Sequence, residues 1–220
     1  MTLRKRLSSS VSWARDECRP LPLWATFIVL AARMGFLPTA VDYEPRALVR
    51  AQASAHQAGL GGRVRWVAAD VFALPLAPGS FDVVVDYGCL HHQKKSDWPR
   101  YRAALLNTLT AGGYFLLSVF STAFRTYGPQ ERPWHLAHGA YRRFFAAADL
   151  RELFGPEFEL LTLEEEREEA RGFWHALMRR KPGDRDSRRL TRLRLRGQTL
   201  PPPLRRTKSI TRPQSLQMSE

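Results

Sequence analysis

Residues 81–93 read FDVVVDYGCLHHQ. Apart from Asp82, the first five residues are an apolar run. The chain then turns at once to an acid, a phenol, a glycine, a thiol and two histidines. Such a run, bounded by turn residues, predicts a central parallel strand covered on both faces. In open α/β sheets, ligands sit beyond the carboxyl ends of such strands. Asp86, Tyr87, His91 and His92 are therefore the first candidates for chemistry.

Upstream of this strand, residues 26–34 place Phe27, Leu30, Ala31 and Met34 at helical spacing, with Gly35 at the usual stop position. A strand over 36–41 ends at Asp42, and Pro38 suggests that its pairing starts only after that residue. Pro45 opens a helix whose buried stripe is Leu48, Ala51 and Ala55. A strand over 64–69 ends at Asp70. Downstream, residues 97–110 form an amphipathic helix, Gly112 and Gly113 a turn, and 114–120 another apolar strand. A long polar and aromatic insertion, 121–143, precedes a helix over 145–154. Two last strands, 158–163 and 173–178, are expected to pair antiparallel across an acidic link, 164–169. Strands alternating with helices predict an α/β fold: a doubly wound, mostly parallel sheet with an antiparallel C-terminal strand pair.

The chain has 220 residues, 44% of them hydrophobic, enough for one α/β domain with a real core. Its net charge of +13 is uneven. Residues 179–220 carry 13 Lys and Arg against 3 Asp and Glu, and residues 21–178 carry 16 of each. A neutral body argues against a groove built for nucleic acid, which leaves only the basic tail for such a partner. The longest N-terminal apolar run, residues 21–32, is shorter than the roughly 20 residues a membrane span needs. Polar residues separate the basic start from that run, against a signal peptide. Cys18 and Cys89 suit no disulfide or metal framework and read as free thiols in a reducing, cytoplasmic setting. Residues 1–20 read as an irregular segment, 21–182 as the folded domain and 183–220 as a basic, disordered tail. Oligomeric state has no signature in the sequence.

Three strands end in acids, and their order carries a resemblance. AVDYEPRAL, VAADVFALPL, FDVVVDYGCLHH and LTAGGYFLLSVFS, in that order, resemble the motifs of class I S-adenosylmethionine-dependent methyltransferases of the small-molecule type. The resemblance implies a Rossmann-like fold, S-adenosylmethionine as cofactor and a small-molecule methyl acceptor. It implies that Asp42 accepts both ribose hydroxyls, that Tyr43 lies against the adenine, and that Asp70 and the Val71 amide meet the adenine edge. Asp86 and Tyr87 would face the methionine end. His91 and His92 are the candidate catalytic groups, because imidazole titrates near neutral pH and can accept a proton or orient a substrate.

One family motif is missing. The strand and Gly-x-Gly-x-Gly loop expected just before the 26–34 helix have no counterpart in CRPLPLWA, and no glycine precedes Gly35. Those glycines let the backbone approach the cofactor at a helix N-terminus. Trp24 falls where a glycine belongs. The expectation is a sheet without its central first strand and an obstructed cofactor loop, through divergence or because the N-terminal residues are not the gene's natural reading. Alternative readings are a non-catalytic methyltransferase-like binding module and a nucleic-acid-associated protein using its tail. Tyr127, Trp134, His135, His138 and Tyr141 make the 121–143 insertion a candidate substrate loop. His135 and His138 lack an obvious third partner for a metal.

Overall fold

The computed structural model of the chain describes residues 6–10, 23–124, 133–137, 140–168 and 171–183. Two compact units divide the chain, Met1–Pro182 and Gly183–Glu220. The expected disordered tail lies outside the described residues except for Gly183.

The strand predicted over the quoted stretch is β4, Phe81–Tyr87; strands are numbered here in chain order. Upstream lie β1 (Arg6–Ser10), α1 (Leu23–Arg33), β2 (Leu37–Asp42), α2 (Pro45–Gln57) and β3 (Arg65–Ala68). Downstream lie α3 (Trp98–Thr108), β5 (Leu109–Phe120), β6 (Trp134–Ala137), β7 (Ala140–Arg143), α4 (Ala147–Phe154), β8 (Phe158–Glu168) and β9 (Arg171–Arg180). Seven of the strands form one sheet in the order β3-β2-β1-β4-β5-β9-β8. β1 to β5 run parallel, and β9 runs antiparallel to both β5 and β8. This is the predicted α/β architecture with its antiparallel C-terminal pair.

The largest correction falls on residues 1–20. A first strand exists, and it is RLSSS, Arg6–Ser10. It pairs in parallel with β2 and β4, so it occupies the sheet's centre, with Ser10 opposite Val41 and Asp86. An apolar run is the usual mark of a strand buried on both faces. Here two flanking backbone ladders hold a strand with only one aliphatic residue. The connection to α1 is therefore residues 11–22, and Trp24 is the second residue of the helix, not a loop position. Residues 11–22 lie outside the described residues.

A second correction concerns Pro38. It is fully buried and stands in register with Leu7 of β1, so β2 pairs through it. Pairing with β3 begins only at Thr39, so on that side the missing N–H interrupts no ladder.

Local chemistry explains the helices. α1 ends as expected at Gly35, whose φ is 85°. Its amide donates to Ala32 O and the Phe36 amide to Ala31 O, a paired closure that favours glycine at this position. α2 begins at Pro45, with Glu44 Oε1 accepting the Arg46 amide at 3.1 Å. One core layer lies between the sheet and α3 and α4, around Phe115, Leu117, Phe145, Leu150, Phe154 and Met178. The other lies beneath α1 and α2, around Ile28, Ala32, Ala40, Ala47, Leu48 and Ala51. The acidic stretch expected as a link is instead part of β8, which forms the sheet's edge. Within the insertion, β6 and β7 make a separate antiparallel hairpin.

Candidate functional site

The carboxyl ends of β2, β3 and β4 bring three acids to one edge of the sheet, in three different states. Asp42 ends β2 and is 2% exposed. Its Oδ1 accepts the Glu44 amide at 2.9 Å, while its Oδ2 is buried without a hydrogen-bond partner. Burial pushes its carboxyl up to about 7, against the lowering effect of the Glu44 amide. Tyr43, beside it, is exposed at the rim. The Asp42 carbonyl accepts the Ala69 amide at 3.0 Å, which ties the end of β2 to the end of β3.

Asp70 is exposed and caps a single helical turn, Val71–Ala73, by accepting the Phe72 amide at 2.9 Å. Val71 opens that turn. The first amide of a turn has no partner inside it, so the Val71 N–H is left for something outside. Asp42, Tyr43, Asp70 and Val71 therefore stand along one rim, at the adjoining ends of β2 and β3.

Asp86 departs from expectation. It is fully buried, and both of its oxygens are engaged inside the protein. Oδ1 accepts the Cys89 amide at 2.6 Å, and Oδ2 accepts the Leu90 amide at 2.9 Å and the Tyr101 hydroxyl of α3. Gly88, with φ at 107°, reverses the chain so that those amides turn back onto the carboxylate. Burial raises Asp86 to about 6, and the Tyr101 bond and the amides oppose that rise. Its side chain holds the turn after β4 and offers no oxygen to a cofactor. The reason the sequence misled is local: the donors that satisfy Asp86 lie three and four residues on and across in α3. Cys89, a free buried thiol, has its pKa raised well above the usual value by burial. It is a packing residue.

The two histidines separate. His91 is buried, its ring stacked on Phe120 at 3.8 Å and edge-on to His92 at 4.5 Å. His92 is partly buried, and its Nδ1 lies 2.7 Å from the Tyr141 carbonyl of β7. A carbonyl only accepts, so Nδ1 carries the proton and the Nε2 lone pair is left open. Burial lowers both imidazoles, His91 far below its ordinary value, so both are neutral at pH 7. The hairpin of the insertion thus rests on the turn that carries the histidines. In it Trp134 stacks on Tyr141 at 6.1 Å. Tyr127 and His138 lie outside the described residues. Among the described residues no group of three or more His, Cys, Asp or Glu is arranged to hold a metal.

A polar row on the outer strands escaped the sequence reading. Tyr87 of β4 stands opposite Ser118 of β5, Ser118 opposite His175 of β9, and His175 opposite Glu164 of β8. Residues in register share a face of the sheet. Ser118 is 6% exposed, and its Oγ has no partner. His175 Nε2 lies 2.6 Å from Glu166 Oε2. The Tyr87 phenol is raised by burial and by the negative charge of Glu166. The available signal was a hydroxyl and an imidazole at inward-alternating positions of otherwise apolar strands.

Residues 25–113 match the family model described as a methyltransferase domain. Over those residues the chain is similar to the class I S-adenosylmethionine-dependent methyltransferases. S-adenosylmethionine is accordingly the cofactor of this methyltransferase domain. Solved structures agree. The 1,6-didemethyltoxoflavin-N1-methyltransferase of Burkholderia thailandensis, with 1,6-didemethyltoxoflavin and S-adenosylhomocysteine bound, is 25% identical; the match covers 81% of this chain and 72% of that one at a TM-score of 0.60. An S-adenosylmethionine-dependent methyltransferase from Mesorhizobium loti is 18% identical over 80% of this chain and 91% of that one, at 0.60. The [4+2]-cyclase SpnF is 18% identical over 82% of this chain and 77% of that one, at 0.62. The last two show likeness of fold. No curated protein matches the chain in sequence.

The rim residues fit the cofactor on their own evidence. A buried carboxylate oxygen without a partner is costly, and a ligand hydroxyl at Asp42 Oδ2 would relieve it. Within residues 11–22, where a glycine-rich loop is usual in the family, the chain has no glycine.

Proposed function

We propose that the chain transfers a methyl group to a small-molecule acceptor bound beyond the ends of β4 and β5. The observation that carries this reading is the buried, unpartnered Oδ2 of Asp42 at the end of β2. When bound, S-adenosylmethionine supplies an electrophilic methyl group on a sulfonium. Asp42 accepts the ribose hydroxyls, Tyr43 lies against the adenine, and Asp70 with the Val71 amide meets the adenine edge. Tyr87 stands between the cofactor end and the acceptor end. His92 takes the acceptor's proton at Nε2, because its Nδ1 proton is committed to the Tyr141 carbonyl. His91 holds the turn and packs against Phe120. Methyl transfer is an in-line displacement, so the protein's main tasks are alignment and exclusion of water. The hairpin over the histidines suits the second task. A small-molecule acceptor is in keeping with the Burkholderia relative, whose structure holds one. A cytoplasmic, reducing setting accords with the free thiol of Cys89.

The test is calorimetric titration of S-adenosylmethionine and S-adenosylhomocysteine into the full chain. Micromolar binding, weakened in Asp42→Asn, is expected. A folded chain that binds neither overturns the proposal. With an acceptor in hand, His92→Gln should lower kcat about 100-fold or more and leave cofactor affinity unchanged.

The missing glycines favour one rival, a non-catalytic binding module on the same fold. Its mark is acceptor binding without any cofactor binding. The [4+2]-cyclase relative is an example of this fold in a protein named for another reaction.

A further inference from the structure

We propose that the face formed by β4, β5 and β9 is the acceptor's subsite, and that it selects a flat aromatic molecule whose edge carries a hydrogen-bond donor. The inference rests on the methyltransferase reading above for the position of the acceptor, but its residues are independent of the cofactor rim.

Two adjacent rows of side chains build this face. The first row is Tyr87, Ser118 and His175, one residue from each of three neighbouring strands. The second row lies two residues nearer the carboxyl end of β5, with Phe120 opposite Phe173 and Phe173 opposite Glu166. The Phe120 and Phe173 rings are 5.2 Å apart, and both are partly exposed. Phe120 also stacks on His91, the neighbour of His92. The aromatic row therefore runs directly to the turn that carries the proposed base.

The polar row has unused hydrogen-bonding capacity. Ser118 Oγ is buried with no partner, a state that costs free energy unless a ligand completes it. His175 Nε2–H donates to Glu166 Oε2, which in the neutral imidazole leaves the Nδ1 lone pair as an acceptor. His175 and Glu166 side chains are 40% and 51% exposed, so the row can be reached from outside. A donor on the ligand meets His175 Nδ1, and an acceptor beside it meets the Ser118 hydroxyl. The ligand's plane lies against Phe120 and Phe173, because aromatic pairs favour offset or tilted contact at such distances. A site that hydrogen-bonds a ligand rejects the analogue lacking the group, since its own buried polar atoms are then left unpaired.

Quinolin-2(1H)-one and quinoline are the probes. They share a ring skeleton, and the first adds an N–H donor beside a C=O acceptor. Both are titrated into the full chain with and without saturating S-adenosylhomocysteine, whose own binding is measured separately. Quinolin-2(1H)-one is expected to bind about tenfold more tightly than quinoline. Ser118→Ala and His175→Gln are expected to erase that preference, and Phe173→Ala to weaken both probes, while S-adenosylhomocysteine affinity stays as in the parent chain. His175→Gln lies on the accessible side and keeps the test sound should Ser118→Ala fold poorly. Equal affinity for the two probes, no binding of either, or a preference that survives His175→Gln would overturn the proposal. Loss of S-adenosylhomocysteine binding in the parent chain would instead strike at the methyltransferase reading.

Discussion

Asp42 and Asp86 end two strands of one sheet, each beside β1, and both are buried. Asp86 spends both oxygens on two amides and the Tyr101 hydroxyl. Asp42 spends one oxygen on a single amide and keeps the other empty. The chemistry of the side chains is identical, and only the donors around them differ. A carboxylate whose donors are all internal is scaffold. One held at the same depth with an oxygen left over has an acceptor that a ligand hydroxyl could use.

The sharpest way to break this comparison is to remove each carboxylate in turn. Asp86→Ala leaves three donors without an acceptor around a buried turn. The expected loss is about 3 kcal/mol, and the melting temperature should fall by roughly 6–12 °C. Thermal unfolding followed by circular dichroism reads this directly. An unchanged melting temperature would mean that the turn after β4 is held by something other than Asp86.

Asp42→Asn should act in the opposite sense on stability and strongly on binding. Cofactor affinity is expected to fall about 30–100-fold, since an amide cannot accept two hydroxyls as a carboxylate does. Stability moves the other way with pH. The folded pKa of Asp42, about 7, lies above its ordinary 3.8, so ionisation is costlier in the folded chain than in the unfolded one. That penalty is absent below about pH 4, grows between pH 4 and 7, and is complete above 7. The melting temperature of Asp42→Asn, measured against the parent chain, should therefore rise across that window and level off above it. A difference independent of pH would show that Asp42 is not held in this raised state.

How much of this contrast was legible in the sequence follows from where the partners lie. The acids at strand ends, the alternation of strands and helices, and the final antiparallel pair rest on local patterns, and these were readable. β1 was not, because RLSSS has no apolar period and its place depends on ladders to β2 and β4, more than 25 residues away. Asp86 looked like Asp42 because both follow apolar strands. Its closure by Tyr101 of α3 is a tertiary fact. The division of labour between His91 and His92 depends on Phe120 and Tyr141, which the quoted stretch does not contain. Ser118 and His175 were overlooked because each is a single polar residue in an apolar strand; only the register across β5 and β9 joins them.

A smaller effect tests the empty oxygen itself. Ribose hydroxyls donate to the charged carboxylate, so binding should lower the pKa of Asp42 from about 7. Below that value the free protein must give up a proton to bind. Affinity for S-adenosylhomocysteine should then weaken by up to about tenfold for each pH unit below 7 and be flat above it. Calorimetry in two buffers of different ionisation enthalpy should show proton release at pH 6 and little at pH 8.5. In Asp42→Asn that release should vanish. Proton uptake at pH 6, or release that persists in Asp42→Asn, would assign the linkage to another group.

The smallest effect lies on the outer strands, where the contrast is between burial and charge. The Tyr87 phenol is raised first by burial and then by Glu166. Glu166→Gln removes only the second cause. The phenol should therefore fall only part of the way and remain above its ordinary value of 10.0. Carbon-13 labelling of the tyrosine rings and titration by NMR resolves this residue from the others. A drop all the way to the ordinary value would mean that charge, not burial, governs Tyr87. No change would mean that the phenol and Glu166 do not share a face in solution, and the row from β4 to β8 would lose its outermost member. Between those outcomes, a partial fall ties Tyr87 to the same face as His175, because Glu166 acts on both.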